Sequence, residues 1–243
     1  MVNCNDLAMT LDGRIGERKE KTMYHYEYVS RNAAKPYREE FEAIIHEVQD
    51  LLRDEFTFQY DFIGSSSRNM ITCDFTTNKG FDFDVNLHIN GADDYSPEDL
   101  KKVIMRAIDR VAVQKGYANC EDSTRVITLK MKNQFRSRIE YSCDFAIVND
   151  YEDNKGHKHQ EYIHFQKNQR RYYWNEQPKG YDLEPKVDWI KKQPGNLWDN
   201  VLALYLDKKN NNTNLDKKSR ALYAETINEI CLQNGYRHRG IRL

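Results

Sequence analysis

The sequence predicts an α+β fold: a mixed β-sheet core with helices on one face, followed by a helical subdomain. Three observations carry this expectation. Residues 81–89 alternate strictly, with Phe81, Phe83, Val85, Leu87 and Ile89 on one face and Asp82, Asp84, Asn86 and His88 on the other, the period of a half-buried strand. Strand-like and helix-like segments follow one another as strand–strand–helix–strand–strand, which suits a mixed sheet with helices packed on one side. Beyond Asp150 the pattern changes, and short helical stripes broken by Pro and Gly dominate the end of the chain. The expected division is a core over 1–180 and a helical subdomain over 181–243.

Residues 1–21 are polar and glycine-punctuated, with a turn over 13–16 and little regular structure expected. Pro36 opens the first helix, because proline is pre-organised for the first helical position. Its apolar stripe is Tyr37, Phe41, Ile44, Ile45, Val48, Leu51 and Leu52, and it ends near Asp54. A strand over 57–63 delivers the chain into a Gly64-Ser65 turn. Arg68, Asn69 and Met70 then begin a short helix or loop, and 78–80 turn again. Ser96, Pro97, Glu98 and Asp99 make a helix start: a hydroxyl cap, proline first, acids in the opening turn. Leu100, Val103, Ile104, Ala107, Ile108 and Val111 form its buried stripe, and Gly116 ends it.

Strands follow over 125–131 and 138–148. In the second, Ile139, Tyr141, Cys143, Phe145 and Ile147 share one face, while Glu140, Ser142 and Asp144 share the other. Residues 150–159 are charged and loop-like. Segments 161–166 and 170–174 pair as a hairpin around Lys167, Asn168 and Gln169. Helices are expected over 187–192, 197–206 and 215–233, with a polar asparagine loop over 208–214.

With 243 residues, the chain is long enough to bury a substantial core. A formal net charge of −1 argues against a dedicated DNA-coating protein. No apolar run approaches the ~20 residues of a membrane span, and the N-terminus lacks the plan of a signal peptide. The five cysteines are odd in number, scattered, and free of Cys-x-x-Cys spacing. That favours reduced thiols, and a cytoplasmic location is expected.

The chemistry concentrates on acids. Asp82 and Asp84 project side by side from one strand face, and Asp144 joins them if its strand lies alongside. Like charges so close repel, so a cation has to hold them together, and oxygen-only ligands suit a hard ion such as Mg²⁺. Backbone N–H groups and hydroxyls of the Gly64-Ser65 turn can hold phosphate. Taken alone, the two aspartates fit a solvated strand face equally well. Arg68 either touches phosphate or makes a surface ion pair. Lys167, Arg170 and Arg171 beside Tyr172, Tyr173 and Trp174 fit a nucleic-acid surface or, more simply, a hairpin with basic outer positions and packed rings. His157, His159 and His164 lack metal-ligand spacing and are expected as a loop cluster.

Gly64-Ser65, the Asp82-Phe83-Asp84 strand and Asp144 together resemble the DNA polymerase beta-like nucleotidyltransferase superfamily. Tyr162, Ile163 and His164, through Tyr173 and Trp174 to Pro178, look like the region after the third acid in oligoadenylate-synthase-like enzymes. That branch includes the bacterial synthases of cyclic oligonucleotides. The resemblance spans residues 62–178 and implies a nucleotidyltransferase core. By it, Gly64 and Ser65 hold the triphosphate of an NTP, and Asp82, Asp84 and Asp144 are catalytic and bind two divalent ions, Mg²⁺ or Mn²⁺. Asp144 holds the ion that activates the acceptor hydroxyl. Lys217, Lys218 and Ser219 are matched to a triphosphate-reaching role from the helical side; otherwise they are a solvated helix start. The implied reaction moves an NMP from an NTP to a hydroxyl acceptor with release of pyrophosphate, making a linear or cyclic oligonucleotide. Transfer to a small molecule, a protein or a tRNA end, or a nucleotide or RNA sensor without turnover, are the alternatives. Asn69 stands where many relatives carry Gly, and residues 72–79 are expected as an inserted hairpin.

Overall fold

The computed structural model describes residues 24–237, except 75, 78, 79, 136, 179, 180, 182 and 215. The expectations for 1–21, and the start of the last predicted helix at Leu215, lie outside the described residues. In chain order the elements are β1 (Tyr26–Tyr28), α1 (Arg31–Leu52), β2 (Phe58–Ile63), the single helical turn α2 (Gly64–Ser67), β3 (Thr72–Asp74) and β4 (Phe81–Ile89). They continue with α3 (Pro97–Ala112), β5 (Glu121–Asp122), β6 (Ile127–Asn133), β7 (Arg138–Glu152), β8 (Lys158–Gln166) and β9 (Arg171–Glu176). The chain then folds into α4 (Glu184–Lys191), α5 (Leu197–Asn210) and α6 (Ser219–Gln233).

The sheet is mixed, as the element order predicts. Its strands run β2-β4-β7-β6-β5, and the β8–β9 hairpin adds onto the far half of β7. β4 and β7 are parallel, and the other pairs are antiparallel. One face is apolar. Phe83, Val85, Cys143 and Phe145 pack there with Phe41, Ile44 and Ile45 of α1 and with Leu100, Ile104 and Ile108 of α3. α1 and α3 therefore cover one side only. A second core joins α4, α5 and α6 through Ile190, Val201, Tyr205, Leu222, Tyr223 and Ile227.

Several local expectations are corrected. α1 starts five residues before Pro36, because the Ser30 hydroxyl accepts a hydrogen bond from Ala33 N at 3.2 Å and caps the helix there. Pro36 is tolerated inside because the Asn32 carbonyl it leaves without a donor lies in an exposed first turn. Leu51, placed in the apolar stripe, is exposed. In place of the expected hairpin over 72–79, Thr72, Cys73 and Asp74 form β3, which pairs antiparallel with β1. Half of the charged residues 150–159 are strand, the end of β7 and the start of β8, with a turn between. α5 runs on to Asn210 through two lysines that complement its C-terminal dipole, so part of the expected asparagine loop is helical. No described helix is long and apolar enough to cross a membrane.

Candidate active site

The polar face of the sheet is built by register. Asp84 of β4 sits directly opposite Asp144 of β7, and Asp82 sits opposite Ser142. In a parallel pair, register partners project on the same side, so Asp82 and Asp84 share one face with Asp144 from a strand far along the chain. Two hydroxyls orient them. Thr128 Oγ1 donates to Asp144 Oδ1 at 2.6 Å, and Ser142 Oγ donates to Asp82 Oδ1.

Gly64 closes the site from β2. Its φ of +67° lies in the left-handed region, and a Cβ there would come 2.4 Å from Asp84 Oδ2. Glycine is thus required twice, for the backbone and for the carboxylate. In α2 the Ser66 and Ser67 hydroxyls turn back to the Ile63 and Gly64 carbonyls at 2.8 and 3.0 Å; Ser65 is half-buried beside Gly64. Asn69 takes φ +55°, which explains a position where either glycine or asparagine serves.

Electrostatically the site is strained towards protonation. Burial, then the charges of Asp144 and Asp82, push the Asp84 carboxyl up to about 6, although Arg68 works against them. Burial likewise raises Asp144, with the Thr128 hydrogen bond opposing. Such values mark carboxylates that need a compensating positive charge.

Cations and rings arrive from the helical side. The Arg68 guanidinium lies 4.4 Å from the Tyr223 ring centroid, and its Nε is buried without a hydrogen-bond partner. Tyr205 is within the field of the same guanidinium and is hydrogen-bonded to Ser219. Ser219 is therefore linked to the site through Tyr205 and Arg68. Lys217 is turned elsewhere, ion-paired with Glu225 at 2.7 Å. Lys209, a residue that sequence patterning did not single out, comes from the end of α5. Its ammonium donates to Thr72 Oγ1, lies 4.3 Å from the Tyr26 centroid, and feels the charge of Asp82. No periodic signal marks it, because its neighbours read as a polar loop. Ser142 was visible in the strand alternation; Thr128 was not.

The other candidates are engaged in packing. Tyr172 stacks on Phe165 at 4.3 Å and donates to Asp122 at 2.5 Å, while Tyr173 stacks on His164 at 4.9 Å. Trp174 packs against the main core. The hairpin rings therefore serve structure, and Lys167, Arg170 and Arg171 decorate an outer edge. His157 and His159 pair with Asp153 and Glu176. A cavity of about 400 Å³ lined by Arg31, Lys35, Arg38, Ser66 and Phe83 lies behind α2, on the helix-covered side of the sheet, and is not the carboxylate site.

Among the described residues no set of three His, Cys, Asp or Glu is already closed around one point as a metal cage. Asp82 and Asp144 are each turned to a hydroxyl instead. Yet the donor set is all oxygen and Arg68 offsets the charge only in part, which fits hard divalent ions rather than zinc or a soft metal.

The fold is the nucleotidyltransferase fold. No family model and no curated protein matches this chain, but solved structures do. The STING-associated CdnE c-di-GMP synthase from Capnocytophaga granulosa aligns with a TM-score of 0.53 at 19% identity, over 83% of this chain and 61% of that one. The CD-NTase CdnG from Bradyrhizobium diazoefficiens, in complex with GTP, aligns with a TM-score of 0.50 at 14% identity, over 88% and 63%. The Vibrio cholerae DncV cyclic AMP-GMP synthase, in complex with nonhydrolyzable GTP, aligns with a TM-score of 0.51 at 14% identity, over 84% and 54%. These structural neighbours are bacterial nucleotidyltransferases of the CD-NTase type, and the likeness is one of fold. The chain spans little more than half to three fifths of their length.

Proposed function

We propose that this chain is a metal-dependent nucleotidyltransferase that moves an NMP from an NTP to a hydroxyl acceptor, releases pyrophosphate, and joins nucleotides into a linear or cyclic oligonucleotide. The observation that carries this reading is the in-register pair Asp84–Asp144, with Gly64 pressed against Asp84. Residues 1–180 supply the catalytic core and 181–243 the helical side of the nucleotide cleft.

Nucleotidyl transfer needs alignment and charge neutralisation more than covalent help. Asp82, Asp84 and Asp144 would hold Mg²⁺ or Mn²⁺, two ions in all, and the chemistry supplied there would be positive charge for the attacking and leaving oxygens. Gly64 lets the backbone approach the triphosphate closely, and Ser65 offers it a hydroxyl. Arg68 brings positive charge to the same side, with Ser219 behind it through Tyr205. Thr128 donates to Asp144 and orients it, and Asp144 would help to take the proton of the acceptor hydroxyl. Two of the neighbours were solved with GTP or a GTP analogue, so GTP is included among the first donors.

The test is incubation with labelled ATP, GTP, CTP and UTP in Mn²⁺, with mass identification of the products. Pyrophosphate release by the natural sequence, abolished in Asp82→Ala, is expected. NTP binding with no turnover under any nucleotide mixture would replace this reading with that of a sensor.

A further inference from the structure

Tyr24, Tyr26 and Tyr28 alternate along one side of the β1 segment, all half-buried, while His25 and Glu27 are exposed. Tyr28 is used in packing: its hydroxyl donates to the Leu202 carbonyl of α5 at 2.8 Å and its ring lies against the helical core. Tyr26 is different. Asn210 grips its backbone from both sides, accepting from Tyr26 N at 2.6 Å and donating to Tyr26 O at 3.1 Å. Its ring meets Lys209 at 4.3 Å and stacks with Tyr24 at 5.6 Å between centroids, 27° from parallel. Among the described residues, neither Tyr24 nor Tyr26 is part of either hydrophobic core. A tyrosine pair carrying a fixed cation, outside both cores, is a surface prepared for another flat ring.

Its position follows from β3. Cys73 and Asp74 line a small cleft with Gly80 and Phe81, the residues leading into Asp82. β1, paired with β3, therefore lies at the Asp82 end of the carboxylates. The Asp84 end is already furnished: Gly64 abuts Asp84, and Arg68 covers Tyr223. A phosphate-holding turn at the Asp84 end assigns the donor NTP to that side. The Asp82 end, with its own ring and cation, is left for the base of the acceptor, whose hydroxyl would reach back towards Asp144.

We propose that Tyr24 and Tyr26, backed by Lys209, form a stacking platform for the nucleobase of the acceptor, so that the acceptor is itself a nucleotide. This rests on the nucleotidyl-transfer reading above. A base stacked on an aromatic ring is held roughly 5- to 150-fold more tightly than without it, with little regard to base identity.

The probe is 2-aminopurine riboside 5′-monophosphate, whose fluorescence is quenched on stacking, titrated into the whole chain with Mg²⁺. Quenching is expected with the natural sequence and with Tyr24→Phe, and at least ~5-fold weaker binding with Tyr24→Leu. Inorganic triphosphate with Mg²⁺, which carries no base, should bind all three alike by calorimetry. The platform is overturned if Tyr24→Leu binds the probe as tightly as the natural sequence, or if it loses the triphosphate in equal measure. Since quenching needs no turnover, the two readings fail separately. Pyrophosphate release without quenching sinks the platform alone, whereas quenching without release from any NTP sinks the acceptor assignment together with the transfer reading.

Discussion

Asp84 shows how a site works against its own fold. An ordinary aspartate titrates near 3.8, but in the folded chain Asp84 is pushed up to about 6. Between those values the folded protein holds a proton that the unfolded chain has released. Stability is therefore lost as pH rises from about 4 through about 6, and at pH 7 the ionised site costs roughly 2–3 kcal/mol. Asp84→Asn removes the charge while keeping the shape. In chelator, urea unfolding at pH 7 should find Asp84→Asn more stable than the natural sequence, with the gain vanishing near pH 4. Equal or lower stability at pH 7 would mean the carboxylate is already compensated within the chain.

At the scale of elements, the β1–β3 ribbon and residues 68–71 before β3 tie the two cores together. Met70 leaves α2 and buries its side chain in the helical core with 1% exposure. Arg68 and Lys209 reach across the same junction from opposite directions. Met70→Ala should cost about 2–5 kcal/mol by opening a cavity there, whereas Leu232→Ala, on the exposed end of α6, should stay within about 0.5 kcal/mol. Thermal unfolding of both variants checks the contrast, and a neutral Met70→Ala would remove Met70 from the junction. Elements with strong periodicity, such as β4, α3 and β7, were legible in the sequence because each buries one face. β1 and β3 were not: three residues each, they exist only because they pair with one another. The end of α5 was missed for a related reason, since Lys209 and Asn210 are held by contacts with Thr72 and Tyr26 far away in the chain.

At the scale of the molecule, a net charge of −1 hides a sharply divided surface. Acids line the sheet face, and Arg68 and Lys209 face them from the side where the helices attach. A divalent ion with a triphosphate would neutralise the first and engage the second, linking the sheet to the helices. Ligand at 100 times its Kd adds about 2.7 kcal/mol, which for a chain of this size raises Tm by roughly 5–10 °C. A thermal-shift series with Mg²⁺ alone, NTP alone and both should show the large rise only with both. A flat series across all four nucleotides would leave the cleft without its ligand.

What the sequence determined by itself is chemical and local. Alternation placed Asp82 and Asp84 on one strand face and Asp144 on another, and Gly64-Ser65 marked the turn, because period and residue type depend on neighbours a few positions away. The tertiary structure decided which acids meet: only the parallel β4–β7 register sets Asp84 against Asp144. It also decided that Ser219 approaches the site through Tyr205 while Lys217 pairs with Glu225, and that Lys209, unmarked in the sequence, stands beside Tyr26. Asp84 meets Asp144 by strand register and Lys209 meets Tyr26 by the way the two cores pack, and no local pattern records either contact.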